Sequence, residues 1–109
     1  MKTVAGDLVA QIREALRIVI DPELGHNIVD LGFIYAITAE DDGMVGITMT
    51  TTTPGCPATR YLKDGVATSA LGVSGVKAVD VTLSYDPPWT PALMSSEAKA
   101  ELGFADSWN

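Results

Sequence analysis

The chain has 109 residues, 47% of them apolar, and carries 14 acidic against 7 basic side chains for a net charge of −7. That length builds one domain around one core, and the apolar share is that of a folded chain rather than a disordered one. The acidic balance argues against a nucleic-acid surface, which needs a basic footprint, and no apolar run approaches the ~20 residues that span a bilayer.

Lys2, Asp7, Arg13, Glu14 and Arg17 interrupt the apolar residues at the N-terminus, which does not read as a signal peptide. A single cysteine leaves no internal disulfide, and the expected location is cytoplasmic. Asp7 is placed to cap a first helix over residues 8–20, with Leu8, Ile12, Leu16, Val19 and Ile20 at helical spacing. Asp21-Pro22 is expected to stop it, since a residue before proline avoids the α region. Residues 21–32 form a loop that is apolar for a linker, so Ile28, Val29 and Leu31 should pin it to the core.

A strand follows over residues 33–37, and Asp42-Gly43 signals a tight turn. The next strand sets Val45, Ile47 and Met49 on one face against Gly46, Thr48 and Thr50 on the other. After Pro57 a second helix places Leu62, Val66, Ser69 and Ala70 along one stripe, and its small residues Gly65, Ala67 and Ser69 should let it lie close to a sheet. Gly72 and Gly75 end it. These glycines also spell the GxxG of a backbone-clamping loop, but with only Lys77 nearby a helix end explains them better. A third strand sets Val79, Val81, Leu83 and Tyr85 against Asp80, Thr82 and Ser84. Asp86-Pro87-Pro88-Trp89 breaks it, a short helix over residues 95–102 precedes Gly103, and residues 104–109 read as a loose tail to a core of residues 8–103.

The order α-β-β-α-β plus a short C-terminal helix predicts an α+β fold, a two-layer sandwich with helices on one sheet face and a largely polar opposite face. The connection through the second helix fits a right-handed parallel crossover. Strand order stays open.

The richest motif is Thr52-Thr53-Pro54-Gly55-Cys56-Pro57. Pro54-Gly55 reads as a turn, and Pro57 suits the first position of a helix. Cys56 is then expected at or beside the helix N-cap, where free N–H groups and the helix dipole favour the thiolate that attacks electrophiles and ligates metals. The competing reading is a small buried hydrophobe.

One Cys and one His cannot close a four-ligand metal site, so a soft metal centre would draw donors from a second copy of Cys56, from a thiol such as glutathione, or from carboxylates. His26 is a candidate base for Cys56, against the plainer reading of a surface or capping histidine. Asp21, Glu23 and Asp30 cluster in the early loop, and Asp86 leaves the third strand. Loop carboxylates often satisfy nearby amides, the favoured reading for Asp21 and Asp30; Glu23 has no such local role. Trp89 reads as a plug closing the open end of the core, with an exposed contact surface as the alternative.

Asp21-Pro22-Glu23, then residues 28–35, the Thr-Thr-Pro-Gly-Cys-Pro run, and Asp86-Pro87-Pro88-Trp89 followed by Met94-Ser95 together resemble the PaaD/SufT-type iron–sulfur assembly family. Four ordered motifs carry the resemblance across residues 8–103. It implies a fold like the cluster-assembly domain of NifU and a role in maturing, carrying or delivering Fe–S clusters. It places the family's reactive cysteine at Cys56 and its acidic loop residue at Asp21 or Glu23. The cysteine-rich tail of PaaD is not in this sequence, which reads as a stand-alone domain.

Two functions follow from the resemblance. In one the protein is an adaptor to assembly proteins and client apo-proteins, with Cys56 as contact or transient sulfur acceptor. In the other it is a carrier that binds a transient Fe–S cluster through Cys56 across a weak homodimer. A cysteine-dependent enzyme is a third reading without a convincing base.

Overall fold

The computed structural model describes residues 5–103. Helix α1 (Ala5–Ala15) tightens into a 3-10 turn at Leu16–Ile18, and Val19 is already extended. The helix therefore starts before Asp7 and ends before Asp21-Pro22, correcting both expected boundaries. Ile18, Val19 and Ile20 are β-branched, which favours the extended backbone over another helical turn. Leu8, Ile12, Leu16 and Val19 are buried as expected, but Ile20 faces outward at 42% exposure.

Residues 20–27 fold as a small hairpin rather than an irregular loop. Strand β1 (Ile20–Asp21) pairs antiparallel with β2 (His26–Asn27), and the Gly25 amide donates to the Asp21 carbonyl at 2.7 Å. Ile28 and Leu31 then sink to zero exposure, with Val29 packed beside the core.

The main sheet has the order β3-β4-β5. β3 (Ile34–Ala39) and β4 (Met44–Met49) form an antiparallel hairpin, with a register shift between Ile34 and Ala36 that leaves Tyr35 as the extra residue of a bulge. β4 pairs in parallel with β5 (Ala78–Leu83), and helix α2 (Thr59–Leu71) makes the crossover between them. Val45, Ile47 and Met49 are buried, so the period-2 reading of β4 holds. α1 packs on β3 and α2 on β5, giving the expected helical layer.

Leu62, Val66 and Ala70 fill the core from α2 with no exposed surface. Side chains such as Leu62 and Ile47 each contribute roughly 1.5–3 kcal/mol by leaving water. Gly65 serves a different neighbour from the one expected. A Cβ there would sit 3.2 Å from the Val19 Cγ1, so the glycine makes room for the extended segment after α1, not for the sheet.

The C-terminal segment closes the open end of the core. Trp89 donates its indole N–H to the Leu31 carbonyl at 2.7 Å and meets Phe33 edge-on, with centroids 5.6 Å apart. Trp89 is thus the plug. Gly32, at φ +81°, lets the chain pass beneath this segment, since a Cβ there would collide with the Leu93 carbonyl. Helix α3 (Ser96–Leu102) is capped by the Ser95 hydroxyl, which accepts from the Ala98 amide at 3.1 Å, and ends at Gly103. The expected tail, residues 104–109, lies outside the described residues.

Candidate functional site

β4 runs out into a buried threonine pair. Thr50 and Thr51 have no exposed surface, and each hydroxyl is hydrogen-bonded, without which its burial would cost about 1–3 kcal/mol. Thr51 Oγ1 donates its one proton to the Thr53 carbonyl at 2.9 Å and lies 2.8 Å from the Tyr85 hydroxyl, which must therefore donate to it. The Thr53 carbonyl also accepts the Cys56 amide at 3.3 Å. With Pro54 second and Gly55 third at φ +83°, residues 53–56 form a type II turn, the conformation that requires glycine in that place. A chain of hydrogen bonds thus runs from the end of β5 through Tyr85 and Thr51 to the cysteine turn.

Cys56 precedes α2 rather than capping it. The regular helix begins at Thr59 with Ala58 as N-cap, so Pro57 is not the first helical residue. The Cys56 carbonyl accepts from the Thr59 amide at 3.1 Å and from its hydroxyl at 2.7 Å, and these bonds hold residues 57–58 in a turn. Proline at 57 cannot donate an N–H, and the chain makes one non-helical turn before the ladder starts.

The Cys56 side chain is 7% exposed and stands outside the apolar cluster that forms the core. Its Sγ points toward Glu23 Oε1 at 3.9 Å, a long and weak sulfur contact. Cys56 also lines an open groove of about 670 Å³ between α2 and β5. The β1–β2 hairpin is what delivers Glu23. Asp21 is buried at 1% exposure and turns inward, accepting from the Leu24 amide at 3.1 Å, so it shapes the hairpin while Glu23 reaches the thiol. Burial pushes the Asp21 carboxyl above the usual carboxylate range, against the Leu24 hydrogen bond and with the help of the Glu23 charge.

His26 and Asp30 belong to another cluster. His26 lies 3.1 Å from Glu101 and 3.6 Å from Asp30, so it pairs with carboxylates and not with Cys56, and the Cys–His arrangement does not form. Asp30 accepts from the Arg17 guanidinium at 2.9 Å and the Asn27 amide at 3.0 Å, while its carbonyl takes the Ser95 amide at 2.7 Å. Burial alone would raise the Asp30 carboxyl. The Asn27 and Arg17 hydrogen bonds, with the Arg17 and His26 charges, outweigh that and hold it below the usual range. This cluster ties the hairpin to α3. Asp86 is exposed, bonds only locally with Ser84, and takes no part in the site.

Thr52 is half-buried beside the turn, while Thr53, Pro54, Gly55 and Pro57 are exposed around it. The structure adds Thr51, Tyr85, Arg60 and Lys63, which the sequence reading passed over. Arg60 and Lys63 had a legible signal: with Ala67 they follow Cys56 at helical spacing, one stripe along α2. Tyr85 had none, because its partner Thr51 is 34 residues away.

This arrangement, a lone thiol on a proline-glycine turn with a carboxylate brought to it, occurs in a chain whose residues 9–83 match the model of the iron–sulfur cluster assembly protein family. The chain belongs to that family. It is 45% identical over 89 residues to an Fe-S protein maturation auxiliary factor of Porphyromonas gingivalis, covering 82% of this chain and 85% of that one. It is 40% identical to the Fe-S protein maturation auxiliary factor SufT of Staphylococcus aureus, over 78% of this chain and 97% of the other. A crystal structure of a domain of unknown function from Bacillus anthracis superposes with a TM-score of 0.88 at 36% identity, covering 91% of this chain and 94% of that one. The α+β fold expected from the sequence is that of the family.

Proposed function

We propose that this protein is an iron–sulfur maturation factor of adaptor type, which engages assembly proteins and client apo-proteins and uses Cys56 as the thiol that meets sulfur or cluster in passing. The observation that carries this reading is the Cys56–Glu23 pair. Each chain offers there one soft donor and one hard donor, whereas an Fe–S cluster is held by about four thiolates. The cluster is therefore cargo, shared with ligands of a partner during transfer. The names of the relatives, maturation auxiliary factors, support the same role.

A second reading is a carrier in which two chains each contribute Cys56 and Glu23, which gives four donors across a homodimer. Anaerobic reconstitution with iron and sulfide, followed by absorption spectroscopy and light scattering, separates the two. The adaptor takes up no stoichiometric cluster and stays at one oligomeric state, while pull-downs recover assembly factors or client apo-proteins. A stable cluster that dimerises the protein and is lost in Cys56→Ser would overturn the adaptor reading in favour of the carrier.

A further inference from the structure

The groove that starts at Cys56 has features that the thiol alone does not explain. One wall is β5, the edge strand of the sheet. The Ala78 and Ser84 amides donate to the Gly43 and Met49 carbonyls beside β4, which sets the parity of the strand. The N–H and C=O groups of Val79 and Val81 therefore point the other way, along the groove, and no strand of the described residues pairs with them. The other wall is α2, which presents Arg60 and Lys63 near the Cys56 end and Asp64 beyond them, with Asp80 opposite. Among the described residues neither Arg60 nor Lys63 has a carboxylate within ion-pair distance, in a chain with only 7 cations.

We propose that this groove binds a short peptide thiol, one carrying two carboxylates, one ammonium and one sulfhydryl, in the manner of glutathione. A tripeptide in extended form spans about 10 Å, the length of the three-residue stretch from Val79 to Val81. Its backbone pairs with the free edge of β5, as in strand addition. Its carboxylates meet Arg60 and Lys63, its ammonium meets Asp64 or Asp80, and its sulfur comes beside the Cys56 Sγ. The charge pattern, two cations and two anions within one short groove, fits a small zwitterion better than a long acidic segment of a partner. The proposal rests on the reading of Cys56 as a reactive thiol and supplies the second thiolate that one chain lacks. With the oxidised peptide, the Cys56 thiolate attacks one sulfur of the disulfide. A Cys56–peptide disulfide forms, the peptide–peptide bond breaks, and the second peptide leaves as its thiolate.

Two measurements test it. Reduced glutathione titrated into Cys56→Ser should shift amide resonances of residues 59–67 and 78–83, and Arg60→Gln with Lys63→Gln should abolish those shifts. The exchange rate of wild-type Cys56 with oxidised glutathione should fall about tenfold or more in the same double variant, while its rate with neutral dithiodipyridine stays unchanged. Absence of shifts, equal slowing of both disulfides, or equally tight binding of an uncharged, end-blocked tripeptide would overturn the proposal. Reaction with dithiodipyridine but no glutathione effect defeats the groove and leaves the reactive thiol standing. No reaction with dithiodipyridine defeats both.

Discussion

Glu23 and Cys56, 33 residues apart in the sequence, meet with carboxylate oxygen and sulfur 3.9 Å apart. The hairpin of β1 and β2 makes the approach: it turns Asp21 inward onto its own backbone and leaves Glu23 free to reach across to the cysteine turn. The pair joins the soft donor of one loop to the hard donor of another, and the cysteine also lines the groove between α2 and β5.

Cys56→Ser should fold normally. The sulfur's one hydrogen bond is long and weak, and serine is close to cysteine in size, so the loss of stability should be about 1 kcal/mol or less. Urea unfolding measures that cost. In the same variant, labelling by iodoacetamide and any recovery of client activity should disappear.

Glu23→Gln separates the site from the fold more sharply. The residue is exposed, so stability should stay within about 0.5 kcal/mol of wild type. Maturation of a client enzyme, assayed in cells lacking the native protein, should nevertheless drop. Full complementation by Glu23→Gln would remove the carboxylate from the site.

Thr51→Val tests the hydrogen-bond chain that holds the cysteine turn. The change keeps the shape but strips the hydroxyl between Tyr85 and the Thr53 carbonyl. A loss of about 1–3 kcal/mol is expected, because the Tyr85 hydroxyl loses its acceptor and the Thr53 carbonyl keeps only the longer bond from the Cys56 amide. Tyr85→Phe should cost less, and the double variant should fall short of the sum, since both act on one network. Strict additivity in denaturant melts would show that the two hydroxyls work separately.

The two buried loop carboxylates should respond to pH with opposite signs. Asp30 is held below its ordinary value of 3.8 in the folded protein, so its ionised form stabilises. That contribution is complete above the unfolded value and is lost as pH falls through the lowered folded one. Asp30→Asn should therefore be less stable than wild type at pH 7, with the gap closing below pH ~4. Asp21 is raised above 3.8, so ionising it costs stability as pH climbs from the unfolded value through the folded one. Asp21→Asn should match or exceed wild type at neutral pH and lose that advantage in acid. Urea midpoints at both pH values check the pair.

Local pattern determined a good deal of this molecule from the sequence alone. The alternation of Val45, Ile47 and Met49 placed a one-sided strand, because successive side chains on a strand point to opposite faces. The Pro54-Gly55 turn and the helix end before Gly103 were legible for a similar reason: each depends on the dihedral preference of one or two residues. The plug role of Trp89 was legible too, since a large aromatic set among prolines after a strand has few other places to go.

Tertiary structure alone decided who meets whom. His26 and Glu23 stand three positions apart in one hairpin, yet the first faces Glu101 and Asp30 while the second faces Cys56. Nothing in the residue types distinguishes them as partners for a thiol; the packing of the folded hairpin against the cysteine turn and α3 does. The bond between Tyr85 and Thr51 is decided in the same way. Sequence specifies torsions and burial residue by residue, but a site built from four separate segments exists only once long-range packing has set the distances between them.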